Sequence, residues 1–235
     1  MIKKNSTVVS SSAKIEIQQG NATTERFVAF LDIMGFKDLV ARNNHANILS
    51  QLLALTDFIS EKVGVTESFH FSMFSDSIII YSDSTNFKDF ETIIILTSSI
   101  INKSISIGLP IKGAIAKGVC TATTGEKLLY FGQPIIDAFK LEENIVLYGV
   151  AIHNTAEQEA IDLCQKTGYT NLYDFKVILK SSSSNHYIVN WYGDDTDYTI
   201  QMLTNIRKTV SDTPRRYIDN TIDAIRFLKK DSKNV

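Results

Sequence analysis

Two aspartates carry the chemistry this sequence suggests. Asp32 ends the apolar run Phe27–Leu31 and is followed by a turn containing Gly35, while Asp76 lies 76 − 32 = 44 residues further on, between the strand-like runs Phe69–Met73 and Ile78–Tyr81. A continuous apolar run bounded in this way is the pattern of a buried strand. A carboxylate at its tip, beside a glycine that lets backbone approach closely, suits a metal ion held over bound phosphates. Either acid alone has a plainer reading, Asp32 as a helix N-cap and Asp76 as a turn residue. Two acids, each bordering a buried strand, favour a pair that holds Mg²⁺ or Mn²⁺ against triphosphate oxygens.

The acids meet only if the elements around them bring them together. After the Gly35 turn, Ile48, Leu52, Leu55, Ile59 and Val63 recur at helical spacing and Gly64 stops the helix. A hairpin follows, with a half-buried arm that alternates through Phe69, Phe71 and Met73, a tip at Ser75–Ser77, and a fully apolar arm from Ile78 to Tyr81. Phe90, Ile94, Thr97 and Ile101 mark a second helix, ended near Gly108–Pro110, and Ile111–Val119 reads as a fourth strand. The order strand, helix, strand, strand, helix, strand is the split βαβ arrangement of ferredoxin-like α+β domains. There the first and third strands are neighbours, so Asp32 and Asp76 face each other. On the fourth strand Lys112 and Lys117 are an odd number of residues apart and point to opposite faces, so only one of them can enter the cleft.

Beyond this core, the patterning predicts a strand at Val146–Ile152, a helix at Thr155–Cys164, and Phe175–Leu179 paired with Tyr187–Trp191 across a serine loop at Ser181–Ser184. A short helix covers Thr199–Val210. Thr213 reads as an N-cap before Pro214, opening a last helix with Ile218, Ile222, Ile225 and Leu228 on one stripe. The serine loop lacks the Gly-x-Ser-x-Gly elbow of a nucleophile site. The domain organisation expected is an arm or edge strand over residues 1–24, a catalytic core over 25–192, and a helical extension over 193–235 packed on the same core.

Composition narrows the classes. The 235 residues are 44% hydrophobic and 21% charged, ordinary for one globular core, and the net charge of −2 argues against a nucleic-acid surface while allowing a local positive pocket. The four histidines show no metal-ligand spacing, and Cys120 and Cys164 read as reduced thiols. No apolar run approaches the roughly 18 residues of a membrane span, and the polar start lacks a signal-peptide core; the expectation is a cytoplasmic protein without membrane contact.

The segments Phe30–Phe36, Phe74–Ser77 and Phe131–Glu142 resemble the catalytic domain of class III nucleotidyl cyclases. The strands Ile111–Gly118 and Tyr187–Trp191, with the helix around Ala138–Glu142, are most similar to the bacterial pyrimidine cyclases of Pycsar antiphage defence. The resemblance spans roughly residues 26 to 192. It implies two Mn²⁺ or Mg²⁺ ions on Asp32, Asp76 and the Ile33 carbonyl, with amides of Met34, Gly35 and Phe36 cradling the triphosphate. Lys112, whose matched position is basic in the pyrimidine-cyclase pattern, is preferred over Lys117 for the triphosphate or the base. It also implies a homodimer with shared sites, Asp32 and Asp76 of one chain facing Lys140 of the other. The product would be a second messenger for a separate cyclic-nucleotide-activated effector.

Departures from the purine-cyclase pattern bear on the base. Adenylate cyclases read it with a Lys and an Asp at the places held here by Ser72 and Leu129, and the acid and small residue of guanylate cyclases are missing too. A site that loses both readers is built for another base, which favours UTP or CTP; the resemblance implies UTP, with CTP as the alternative. The transition-state Asn and Arg are replaced by Ile136 and Lys140; Lys140 keeps a point charge without the planar fork of Arg. Two other classes stay open, a palm-type two-metal nucleotidyltransferase and a catalytically inactive nucleotide-binding module.

Overall fold

In the computed structural model of the chain, residues 23–123, 129–167, 171–192, 196–210 and 212–231 are described. The expected arm or edge strand over residues 1–24 lies outside them except for its last two residues, which open β1. Strand β1 (Thr23–Ile33) is an interior strand of the sheet, and Phe27, Val28, Ala29 and Leu31 along it are fully buried. Its apolar run is continuous because both faces are covered. Each of its large side chains, once fully buried, contributes about 2 kcal/mol.

The chain continues through α1 (Phe36–Arg42), α2 (His45–Gly64), β2 (Phe69–Phe74), β3 (Ser77–Ser82), α3 (Phe87–Ser106) and β4 (Ile111–Ala122). It then forms β5 (Tyr130–Gly132), α4 (Gln133–Asn144), β6 (Gly149–Ile152), a 3₁₀ turn (Asn154–Ala156) and α5 (Glu157–Thr167). The last elements are β7 (Leu172–Ile178), β8 (Ser183–Val189), α6 (Thr196–Thr209) and α7 (Thr213–Asp231). The sheet runs β2-β3-β1-β4-β6-β8-β7, with β5 paired to β4. Its first four strands are antiparallel in the order the split βαβ pattern dictates, and β6 lies parallel to β4. This is an α+β fold, a sheet flanked by helices.

Helices α2 and α3 cover one face. Asn44 caps α2 by accepting from the Ala46 amide at 2.9 Å, and Asn86 caps α3 by accepting from the Asp89 amide at 2.8 Å. Phe90, Ile94, Thr97 and Ile101 form the buried stripe of α3, and the Phe90 ring meets Phe27 at 5.1 Å. On the other face α4 lies across β1 and β4, where Phe139 meets Phe30 edge-on at 5.3 Å. Residues of α6 and α7, including Leu203, Ile218, Ile222 and Ile225, join the same hydrophobic core.

Some expected boundaries move, each for a physical reason. The Gly35 turn opens a short helix, α1, that the pattern had not suggested; Gly35 sits at φ 74°, where a side chain would be strained. Strand β6 begins at Gly149 instead of Val146, because Val146 donates to the Ile178 carbonyl and Tyr148 to Thr221 Oγ1. The β7–β8 register pairs Phe175 with His186 and Ile178 with Ser183, which leaves Leu179–Ser182 as the turn and draws Ser183 and Ser184 into the strand. Thr213 is the first residue of α7 instead of its cap. Among the described residues no helix is long and apolar enough to cross a membrane.

Gly113 faces Leu31 across the β1–β4 pair, and a Cβ there would lie 2.6 Å from the Phe30 carbonyl oxygen and also strike the Leu31 side chain. Gly113→Ala is therefore expected to cost about 1–3 kcal/mol of stability, read as a lower urea midpoint with an unchanged slope.

Candidate active site

One rung of the sheet builds the site. Asp32 on β1 lies opposite Ser77 on β3 and opposite Lys112 on β4. Two backbone bonds fix what surrounds this rung: the Ile33 amide donates to the Asp76 carbonyl at 2.9 Å, and the Met34 amide to the Pro110 carbonyl at 2.8 Å. The first ties the β2–β3 hairpin tip to the end of β1; Ser75, at φ 58°, makes the tight turn that delivers Asp76. Asp32 and Asp76 thus line one cleft of about 380 Å³, together with the turn from Ile33 to Lys37. The other walls are Phe139, Glu142 and Glu143 of α4, Lys180 from the β7–β8 turn, and Tyr217 of α7.

Burial raises the Asp32 carboxyl from an ordinary 3.8 to about 6, helped by the negative charges of Glu142 and Asp76 and opposed by Lys112 and a hydrogen bond with Ser77. Lys112 is 5% exposed and Glu142 3%, and they form a buried ion pair, Nζ to Oε1 at 2.9 Å. The Lys112 ammonium also donates to the main-chain carbonyl of Glu142 at 2.6 Å and reaches that of Glu143 at 3.4 Å, at the negative end of α4. Burial pushes the Glu142 carboxyl upward while Lys112 opposes the shift.

The structure brings together Asp32, Ile33, Met34, Gly35, Phe36, Asp76 and Lys112 from the residues the sequence nominates. The Met34 amide is taken by Pro110, which leaves Gly35 and Phe36 as the donors the turn can offer. Asp32 caps no helix, since Gly35 precedes α1 and Asn44 precedes α2. Lys117 turns away and bonds Glu159 at 2.7 Å. Ser72 sits on β2 opposite Ile79, and Leu129 is 58% exposed beyond β4 with its amide donated to Thr123 Oγ1. Neither lines this cleft, and neither do the exposed Ile136 and Lys140 of α4.

Sequence reasoning missed Glu142, Lys180 and Tyr217. Glu142 left a signal, an acid adjoining the apolar positions Ala138 and Leu141 of its helix. Tyr217 and Lys180 left none, because long-range packing brings them in. A larger depression of about 540 Å³ between α2, α3 and the end of β8 holds Lys62 and Lys103 but no carboxylate pair. There Ser98 and Asn102 donate to the Asn190 and Trp191 carbonyls, joining α3 to the sheet.

The Asp32 cleft fits hard divalent cations by the chemistry of its donors. Two carboxylates line one cleft, and the charge of Asp76 helps to raise the Asp32 carboxyl, a repulsion of the kind a bound cation relieves.

No protein-family model matches the chain, and no curated protein matches it. Solved structures do. The adenylyl cyclase CyaB from P. aeruginosa is 17% identical over 72% of this chain and 94% of its own, with a TM-score of 0.55. The guanylate cyclase domain of RhGC from Catenaria anguillulae, solved in complex with GTP, is 14% identical over 71% of this chain and 96% of its own, with a TM-score of 0.53. A non-canonical dimeric guanylyl cyclase domain of the RhoGC fusion protein from Blastocladiella emersonii is 16% identical over 71% and 97%, with a TM-score of 0.54. At these identities the likeness is one of fold: the chain has the fold of adenylyl and guanylyl cyclase domains.

The Asp32 shift sets a pH dependence. A carboxyl held at about 6 when folded, against 3.8 ordinarily, favours folding below pH 4, and that contribution is lost as pH rises through 6. With metal chelated at pH 7.5, Asp32→Asn is expected to raise stability by about 1–2 kcal/mol, a figure reduced for the partial exposure of the group. In denaturant melts, Mn²⁺ should stabilise the wild type increasingly as pH rises through 6 and leave Asp32→Asn unchanged.

Proposed function

We propose that this chain is a pyrimidine nucleotide cyclase, converting UTP to 3′,5′-cyclic UMP and pyrophosphate in a homodimer with shared sites. The observation that carries the reading is the convergence of Asp32 and Asp76 at one end of a sheet with the cyclase fold. Asp32, Asp76 and the Ile33 carbonyl are the groups to hold two Mn²⁺ or Mg²⁺ ions. Such ions, once bound, ease deprotonation of the ribose 3′-hydroxyl and neutralise the leaving pyrophosphate.

The chain's own groups do the rest. The 3′-oxygen forms a bond to the α-phosphorus, the bond from that phosphorus to the bridging oxygen breaks, and the hydroxyl proton passes to solvent. The amides of Gly35 and Phe36 orient the triphosphate. Lys112 lies at the cleft wall as its nearest buried cation. Lys140 stands outside its own cleft, which suits service to the site of a second chain.

Ser72 and Leu129 supply neither the Lys–Asp pair that reads adenine nor the residues that read guanine, and this supports a pyrimidine. CTP remains the competing substrate, since the same absences serve it equally. The cyclic product would leave as a diffusible signal for a separate effector, as in antiphage defence.

Purified protein incubated with each nucleoside triphosphate and Mn²⁺ is expected to yield cyclic UMP above the other products by mass spectrometry. Absence of any cyclic nucleotide would refute the enzyme reading, and cyclic AMP or GMP as the main product would refute the pyrimidine reading. Asp32→Ala and Asp76→Ala should each lower turnover by more than about a hundredfold while the chain stays folded by circular dichroism.

A further inference from the structure

Helix α7 stands outside the split βαβ core, and more than a quarter of this chain lies outside the match to each of the cyclase structures above. Yet α7 reaches the cleft. Tyr217, in its second turn, is 6% exposed and lines the same space as Asp32 and Asp76. Its ring centroid lies 6.0 Å from Lys112 Nζ, within range of a cation–π contact. The ring stacks on Tyr148 at 6.1 Å with an interplanar angle of 21°.

The helix is fastened where this contact needs it. Thr221, one turn on, accepts the Tyr148 amide at 2.8 Å and donates to the Tyr217 carbonyl at 2.7 Å. Asn220 donates to the Val146 carbonyl at 2.6 Å, and Asp219 takes a two-pronged bond from Arg207 of α6. Helix α7 thereby grips Val146–Tyr148, the segment leading from α4 into β6. Lys112 is enclosed by three elements: its own strand, the end of α4 with Glu142, and the face of the Tyr217 ring.

We propose that Tyr217 is a positioning residue for the nucleotide site, its ring holding the Lys112 ammonium against Glu142 behind Asp32. This rests on the cleft being the triphosphate and metal site. A lysine stem has free rotors and its head seeks water. Its acceptors, the Glu142 carboxylate and the Glu142 and Glu143 carbonyls, all belong to α4, and the aromatic face of Tyr217 limits how far the head can turn away from them. The C-terminal extension then acts on substrate affinity through Lys112, in addition to packing on the core.

The test uses the full chain with Tyr217→Phe, Tyr217→Leu, and Phe227→Leu as a control on α7, whose ring packs on Tyr173 and Phe175 instead of the cleft. One readout is the ¹⁵N signal of the Lys112 ammonium, assigned by its loss in Lys112→Gln. The other is calorimetric binding of 3′-deoxy-UTP with Mn²⁺, which cannot cyclise. Tyr217→Leu is expected to lose the ammonium signal and weaken binding about tenfold, while Tyr217→Phe and Phe227→Leu keep both. Retention of signal and affinity in Tyr217→Leu overturns the proposal, as does an equal loss in Phe227→Leu, which would reduce α7 to packing. A wild-type chain that binds no analogue refutes the cleft reading itself, and the ammonium signal then still decides whether Tyr217 holds Lys112.

Discussion

The placement of Asp32, Ser77 and Lys112 on one rung of three adjacent strands is the constraint on which the rest of the site depends. Side chains on a strand alternate between faces, so a slip of one residue in either pairing would send its partner residue to the opposite side of the sheet. Register is held along the whole of β1, which pairs with β4 from Thr23 to Ile33. Packing adds to the specification, because a slip would take Phe27 off Phe90 and send it to the opposite face of the sheet. The Ile33–Asp76 bond then extends the rung by one step, from strand to hairpin tip, and delivers the second carboxylate with its backbone already fixed.

That arrangement creates an electrostatic problem whose partial solution is visible. Four carboxylates, from Asp32, Asp76, Glu142 and Glu143, line one small cleft. A buried ion pair gives little net stability, because desolvation cancels most of its attraction, so the Lys112–Glu142 pair is better understood as placing charge. Lys112 is committed to Glu142 and to the end of α4, and its compensation of Asp32 is outweighed by burial and by the two nearby acids. The charge left unbalanced is therefore on the Asp32–Asp76 side, facing the open cleft where a divalent cation would sit. Burial raises the proton affinity of Glu142 too, but there Lys112 opposes the shift directly, whereas Asp32 also bears the repulsion of Glu142 and Asp76.

How much of this the sequence disclosed depended on range. The βαββαβ order and the meeting of Asp32 with Asp76 followed from strand-length apolar runs, helical stripes such as Phe90–Ile101, and glycine stops, all local signals. That Lys112 and Lys117 face opposite sides followed from the two-residue period, while the choice of Lys112 for the cleft came from the resemblance. Helix α1 was invisible because seven residues beside a glycine in the left-handed region look like a turn. The shortened β6 was invisible for a different reason: Val146 and Tyr148 are apolar and strand-like, and only their bonds to Ile178 and Thr221, distant in the chain, take them out of the ladder. Tyr217 and Lys180 belong to the same category. No periodicity within α7 or the β7–β8 turn states what those elements pack against.

The residues left outside the cleft bear on the proposed reaction as much as those inside it. A cyclase must hold triphosphate, ribose and base at once, and the cleft of one chain offers acids, turn amides and Lys112, groups suited to the triphosphate end. Ser72, Leu129, Ile136 and Lys140, at the places where purine cyclases hold the base and the transition state, do not line it. Phe131, Ile136 and Phe139 are exposed apolar side chains on β5 and α4, the latter also carrying Lys140. If those positions act on the substrate held by Asp32 and Asp76, they must do so from a second copy of the chain, whose approach would also cover this apolar surface. Under the proposed function, assembly and substrate recognition become one event, and the base would be read in the space between two chains instead of by any contact within one.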